Sequence, residues 1–266
     1  MSESKIKVAV SGAAGRMGRR LVAIIAADEE LELSAALESE SHDKIGTDAG
    51  ELAGVGRLGV NLSASIDSRA DVLIDFSTPQ ATDYVIKSCI KFGIPLVFAT
   101  TGVTLVQDIM LENATCQIPV LMSPSMSLMV NLAMELCKTS AKTLADKDVD
   151  IEIVESHHRY KTDAPSGTAL KFAKIISKEM GQFRQVCGRR GQVGKRTHEE
   201  IGFHSIRIGD DPGKHSILFG LLGETLEISV KATSRDCYAY GAIAAAKFLY
   251  NKPIGKYKMT DLLFKK

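Results

Sequence analysis

Lys5-Ile6-Lys7-Val8-Ala9-Val10-Ser11-Gly12-Ala13-Ala14-Gly15-Arg16-Met17-Gly18 decides the fold. Lys5 to Val10 alternates polar and apolar residues ahead of three closely spaced glycines, the pattern of a first strand running into a turn. Arg19 to Ala27 then continues with helical periodicity. Strand, glycine turn and helix in that order place unpaired backbone N–H groups at the positive end of a helix, where a dinucleotide pyrophosphate can sit. The spacing is G-x-x-G-x-x-G rather than G-x-G-x-x-G, so a purely structural glycine turn is the competing reading.

The residues downstream favour the nucleotide. A second strand, Leu31 to Leu37, leads into Glu38, about 20 residues past Gly18, where an acid would hold the hydroxyls of an adenosine ribose. Ser39 follows it; an arginine there would pair a 2′-phosphate, whereas a serine only hydrogen-bonds one. This pair leans toward NAD(H) or weak discrimination. Asp71 to Phe76, Ile94 to Ala99 and Ile118 to Met122 are short apolar runs separated by helical stretches, the signature of a doubly wound, Rossmann-like parallel sheet. They end in Ser77-Thr78, Thr100-Thr101-Gly102 and Ser123-Pro124-Ser125. Ligands of such sheets bind beyond those ends. Residues 1–126 are therefore read as a dinucleotide-binding domain.

The 266 residues suffice for one large core or two modest ones, and the net charge of +1 argues against general nucleic-acid or membrane binding. No apolar run has the length of a membrane span. The five cysteines, Cys89, Cys116, Cys137, Cys187 and Cys237, are scattered singly and read as small core hydrophobes in a reduced, cytoplasmic setting.

The second half changes character. Ile201–Ile208, His215–Leu221 and Glu224–Ala232 read as strands joined by turns without helices, giving an α+β domain with an open, mostly antiparallel sheet over 127–236. Its uncovered edges suit packing between copies. Tyr238–Tyr250 reads as a helix, with 237–266 returning to the first domain. The basic, glycine-rich Gly188–Arg196 is readable as a mobile lid, a solvated loop or a subunit contact.

The densest chemistry lies in Glu155-Ser156-His157-His158-Arg159-Tyr160-Lys161-Thr162-Asp163-Ala164-Pro165-Ser166-Gly167-Thr168-Ala169. Val149 to Val154 before it is strand-like, and Leu170, Ala173, Ile176 and Met180 after it form a helical stripe ending at Gly181. His157 to Thr168 is therefore expected as a strand-to-helix connection. Ser166 caps the helix, and the N–H groups of Gly167 and Thr168 face outward as an anion site. His157, His158 and a lysine, Lys161, pressed among other cations would supply proton chemistry to a substrate with several carboxylates. A metal site is disfavoured, because adjacent histidines rarely turn both rings to one ion.

These residues resemble the signature of the 4-hydroxy-tetrahydrodipicolinate (dihydrodipicolinate) reductase family. Glu155-x-His157-His158-x-x-Lys161-x-Asp163-Ala164-Pro165-Ser166-Gly167-Thr168-Ala169 carries the resemblance. Gly12-x-x-Gly15-Arg16-Met17-Gly18, Ala35-Ala36-Leu37-Glu38, Asp48-Ala49-Gly50-Glu51, Asp75-Phe76, Thr100-Thr101-Gly102, Val130-Asn131 and Ile201-Gly202-Phe203 extend it nearly end to end. The resemblance implies a two-domain reductase, usually a homotetramer, that uses NADH or NADPH and no metal. It would reduce a cyclic dicarboxylate with loss of water in lysine and diaminopimelate synthesis. It implies His157 and Lys161 as proton-transferring residues, with His158, Gly167 and Thr168 binding substrate. The cofactor would lie on Gly12, Ala13, Ala14, Gly15, Arg16, Met17, Glu38, Ala99, Thr100, Thr101, Ser123, Pro124, Ser125 and Met126. Three departures stand out: Ser39 where the family often has arginine, Ala99 where it often has glycine, and Pro124-Ser125-Met126-Ser127 in place of Ala-Asn-Phe-Ser. The rival readings are another two-domain dehydrogenase acting on a small acidic substrate, and a dinucleotide sensor without turnover.

Overall fold

The structure, a computed structural model, describes residues 4–67 and 70–265. The chain divides into two compact units, Met1–Leu128 with Asp236–Lys266, and Met129–Arg235.

The first unit opens with β1 (Ile6–Ser11), α1 (Arg16–Ala27) and β2 (Leu31–Leu37), followed by α2 (Ala49–Ala53) and β3 (Leu62–Ser63). Then come β4 (Val72–Asp75), α3 (Pro79–Phe92), β5 (Leu96–Phe98), α4 (Leu105–Ala114) and β6 (Pro119–Met122). The strands form a seven-stranded sheet in the order β12-β6-β5-β4-β1-β2-β3, parallel at every pairing, with β12 (Gly255–Tyr257) supplied by the returning segment. One face is covered by Leu21, Val22 and Ile25 of α1 and by Ala239, Ala242 and Ile243 from α7 (Asp236–Leu249). The other carries Val85, Ile86 and Cys89 of α3 and Leu111 and Ala114 of α4. Burial on both faces accounts for the continuous apolar strands, since neither face meets water. Strand order reverses between β1 and β4, and both carry loops at their carboxyl ends there.

The second unit begins within α5 (Leu128–Thr143) and continues with β7 (Asp150–His157), α6 (Gly167–Met180), β8 (Arg184–Cys187), β9 (Glu200–Arg207), β10 (Lys214–Leu221) and β11 (Glu224–Lys231). Its sheet is open, in the order β11-β10-β7-β9-β8. The expected antiparallel character holds for β7, β10 and β11; β8 and β9 run parallel, so the sheet is mixed. The parallel half follows from α6 carrying the chain from β7 to β8, which then runs in the direction of β7. Ile151 and Ile153 of β7 share a core with Ala169, Phe172 and Ile176 of α6 and with Val130, Met134 and Cys137 of α5. A five-residue helix, α8 (Met259–Leu263), follows β12.

The cysteines depart from the expectation. Cys89 and Cys137 are buried, but Cys116 and Cys187 are exposed and Cys237 half-buried. Cys116 sits in the turn after α4, and Cys187 closes β8, the edge strand of the open sheet, so neither position has a core to fill. All five thiols are free. Among the described residues no helix is long and apolar enough to cross a membrane.

Candidate active site

In the first unit the glycine turn is fixed by close packing. Gly12 has φ +76°, and a Cβ on it would lie 2.7 Å from the Phe76 carbonyl oxygen and 2.9 Å from Ser77 Cα. A side chain at Gly18 would meet the Gly12 carbonyl at 2.0 Å, so α1 rests directly on the turn. Helix α1 starts at Arg16, earlier than its periodicity suggested, and its cap residue, Gly15, offers no side-chain acceptor. The N–H groups of Arg16 and Met17 have no hydrogen-bond partner among the described residues, the arrangement that holds an anion at a helix end.

A cavity of about 780 Å³ opens in front of this turn. Gly12, Ala14, Gly15 and Glu38 line it, joined by Ser39, Glu40, His42, Ser65, Phe76, Ser77, Thr78, Gln80 and Tyr84. Glu38 ties the β2 tip to the turn, its carboxylate accepting from Ala14 N at 3.1 Å and Ser39 N at 3.0 Å. The space and the glycine approach fit an extended dinucleotide. Other residues expected at the cofactor lie elsewhere. Ala13 and Met126 are buried in the core, and Ala99 is nearly so. The Thr100 hydroxyl is committed to Asp75 at 2.7 Å, and the Ser123 hydroxyl to the Ser125 carbonyl at 2.7 Å. Ala99, Thr100, Thr101 and Ser123 to Met126 do not line the cavity.

Asp75 enters the sequence reading only within the shared Asp75-Phe76 motif, with no role attached. It is wholly buried at the end of β4 and accepts from the Ser77 hydroxyl (2.6 Å), Thr100 and Ser11, bringing the ends of β1, β4 and β5 together. Burial raises its pKa, offset only in part by those hydroxyls.

The second unit gathers His157, His158, Lys161, Gly167 and Thr168 around the carboxyl end of β7. Residues 151, 153, 155 and 157 share one face of the strand. The first two fill the core, and Glu155 and His157 continue the row past its edge. His157 is therefore the last residue of the strand and not part of the connection, because β7 keeps pairing with β9 as far as His157↔Arg207. Glu155, wholly buried, lies 2.5 Å from His157 Nδ1. Arg207 donates to both carboxylate oxygens at 2.9 and 2.7 Å, and Ser166 N donates at 3.3 Å. Burial pushes the Glu155 carboxyl up, but the hydrogen bonds from Arg207, Ser205 and His157 outweigh it and hold the pKa at about 2.

His215 of β10, opposite Glu155 in register, packs edge-on against His157 with ring centroids 5.2 Å apart. It hydrogen-bonds the Ser166 hydroxyl at 3.0 Å, and burial, helped by the neighbouring His157, lowers its pKa to about 4. Ser166 caps α6 as expected by accepting from Ala169 N, and the N–H groups of Gly167 and Thr168 have no partner among the described residues. His158 Nδ1 is buried without a hydrogen-bond partner among the described residues.

Lys161 differs from its expected surroundings. Its ammonium is paired with Asp163 at 2.7 and 2.9 Å rather than pressed among cations, since the two side chains leave the same short loop. Two of the four cations of the basic loop are likewise paired. Arg189 binds Glu152 and Glu200, Arg196 binds Asp150 and Glu152, and both lie along the open face of the sheet. Glu152 can lie flat there because Gly202 beside it has no side chain; a Cβ would meet its carboxylate at 1.9 Å.

Two families of sequence match this chain, one over each unit. Residues 6–126 match the family described as dihydrodipicolinate reductase, N-terminus, and residues 129–263 its C-terminal counterpart. The chain belongs to the dihydrodipicolinate reductase family. Among curated relatives, the 4-hydroxy-tetrahydrodipicolinate reductase of Rhodopirellula baltica is 47% identical, with 98% of this chain and 97% of the relative covered. That of Alkalilimnicola ehrlichii is 42% identical over 97% and 98%. The solved structure of a dipicolinate-bound dihydrodipicolinate reductase from Paenisporosarcina sp. TG-14 shares the fold, with a TM-score of 0.75, 23% identity, and 96% and 97% of the two chains covered. In this dihydrodipicolinate reductase family member the Rossmann-type unit carries the cavity and the mixed-sheet unit carries the histidine cluster.

Proposed function

We propose that the chain reduces 4-hydroxy-tetrahydrodipicolinate to tetrahydrodipicolinate with loss of water, using NADH or NADPH, as a step of lysine and diaminopimelate synthesis. Membership of the family across both units carries this reading. A bound nicotinamide dinucleotide supplies the hydride. The first unit holds it: Gly12, Gly15 and the N–H groups of Arg16 and Met17 receive the pyrophosphate, Glu38 the adenosine ribose, and the backbone of Ala99, Thr100, Thr101 and Ser123 to Met126 the remainder. Two acids, Glu38 and Glu40, flank Ser39 at the ribose end of the cavity, which favours NADH over NADPH.

The second unit holds the substrate. His158 Nδ1 and the N–H groups of Gly167 and Thr168 receive the carboxylates, and His157 and Lys161 deliver the proton that accompanies hydride addition. Asp163 keeps the Lys161 ammonium in place until the substrate draws it away. Dipicolinate, held by the Paenisporosarcina relative, is a flat cyclic dicarboxylate of the same class. The exposed edge strand β11 and the apolar Ile206, Ile208, Leu222 and Leu226 suit a homotetramer built through this unit. Free thiols throughout suit the cytoplasm. Light scattering tests the assembly.

The test of the reaction is oxidation of NADH, and separately NADPH, with substrate generated in place from pyruvate and aspartate semialdehyde by a dihydrodipicolinate synthase. Substrate-dependent oxidation is expected, faster with NADH. His157→Gln and Lys161→Ala are each expected to lower turnover by about 10²–10⁴, the range of a positioned acid, with cofactor binding nearly unchanged. Cofactor binding without any oxidation points to a dinucleotide sensor instead.

A further inference from the structure

Glu155 is surrounded by donors alone. Arg207 gives two N–H groups, Ser166 its backbone N–H and Ser205 its hydroxyl. A carboxylate held near pKa 2 stays ionised through the working range and can only accept. The contact with His157 at 2.5 Å therefore requires a proton on Nδ1. In the neutral ring the lone pair is then on Nε2, at the opposite edge. Position 213 keeps that edge clear: Gly213 has φ +145°, and a Cβ on it would lie 3.0 Å from His157 Nε2.

From this geometry we propose that Glu155 and Arg207 are positioning residues that lock the neutral His157 ring in its Nδ1–H form, so that Nε2 is the atom that takes up a proton to give the imidazolium and then passes that proton on. The register builds the device. Glu155 and His157 share a face of β7, and Arg207 of β9 stands beside His157. Arg207 reaches back across Glu155 and also donates to the Asp163 carbonyl at 2.7 Å, so the same guanidinium anchors the loop carrying Lys161. The other charged or titratable groups acting around His157 are His215 from β10, held neutral, Asp211 from the turn before it, and Lys161. Asp211 is engaged by Ser156 at 2.7 Å and Gly213 N at 3.0 Å, so it does not compete with Glu155 for Nδ1. Among described residues Glu155 is the partner of Nδ1, and this assigns the tautomer.

The inference rests on the functional reading only for its consequence in turnover, and the experiment separates the two. The full chain labelled with ¹⁵N-histidine is examined by long-range proton–nitrogen correlation at about 2 pH units above the ordinary histidine pKa of about 6.5. The His157 signals are assigned by their loss in His157→Gln. The wild type is expected to show Nδ1–H and a bare Nε2. Glu155→Gln must turn its amide N–H₂ toward one of the donors, and the pure Nδ1–H pattern is expected to be lost. Turnover should fall about 10²-fold, the lower end of what a positioned acid provides, with the KM for NADH unchanged.

The double variant Glu155→Met with Arg207→Met removes both charges at similar volume. Should Glu155→Gln fail to fold, it carries the same tautomer test. A wild-type ring protonated on Nε2, or an unchanged Nδ1–H pattern in a folded variant, overturns the proposal. Loss of the pattern with full turnover upholds the positioning and sinks the role of His157 as proton donor.

Discussion

Asp75 and Glu155 are the same chemical group in the same degree of burial, one near the end of a strand in each unit, and the protein treats them oppositely. Asp75 is surrounded by the hydroxyls of Ser11, Ser77 and Thr100, and burial raises its pKa. Glu155 meets the same burial, yet Arg207, Ser205 and His157 reverse its effect and hold it at about 2. The difference lies in the partners. A hydroxyl can turn and accept from a neutral acid as readily as it donates to a charged one, whereas a guanidinium stabilises only the charge. Asp75 thus serves as a knot between strand ends whose ionisation matters little to its partners. Glu155 is a fixed negative charge that dictates the state of the ring beside it.

The largest test of this contrast is Glu155→Leu, which strands the Arg207 guanidinium. A loss of about 3–5 kcal/mol is expected from breaking a buried pair, read from urea midpoints at constant m-value. Adding Arg207→Met should restore a substantial part, since no uncompensated charge remains. Equal stability of the single and double variants would break the account of Glu155 as a charge held by its partner.

The second test is the acid limb of stability, where the two carboxylates act with opposite sign. Glu155 titrates lower in the folded than in the unfolded chain, so its contribution is complete above about pH 4.5 and lost as pH falls toward about 2. His215 is held neutral in the fold and takes up a proton on unfolding between about pH 6.5 and 4, so it too favours unfolding on acidification. Asp75 titrates higher when folded, so its protonation favours the native state as pH falls. Wild type should therefore lose stability below about pH 6.5, Asp75→Asn should lose it more steeply than wild type in acid, and Glu155→Gln less steeply. Parallel pH profiles for the two variants would refute the opposition.

The smallest expected effect is Thr100→Val. It removes one of the hydroxyls on Asp75 and should destabilise by about 1 kcal/mol, while the Asp75 pKa rises further, so that stability falls slightly less steeply than in wild type on acidification. A loss as large as that of Glu155→Leu would show that Asp75 behaves as a charge after all.

The same contrast explains what the sequence made legible. Strand β1, its glycine turn and α1 could be read because apolar alternation, three glycines and a helical stripe lie side by side. The His157–Thr168 cluster could be read because its chemistry is contiguous. Glu155 stood within that stretch, but its role depends on Arg207, 52 residues away, and no local pattern links them. His215 is as remote from Ser166, by 49 residues. Strand β8, Arg184-Gln185-Val186-Cys187, is a mostly exposed edge with little apolar periodicity, so only its pairing with β9 reveals it. The position of Thr100 at a strand end is visible in the sequence, while the buried acid that captures its hydroxyl is not.

The division of the first unit between Met1–Leu128 and Asp236–Lys266 sets an order for synthesis on the ribosome. When Arg235 has emerged, the second unit has every residue it needs, but the parallel sheet lacks β12 beside β6, and one face lacks Ala239, Ala242, Ile243, Ala246 and Leu249. The part of the protein translated first is thus completed last. A chain cut short just after Arg235 would carry the histidine cluster together with a Rossmann-type unit that has an exposed edge and a bare apolar face, which makes that truncation a target for chaperones and proteases.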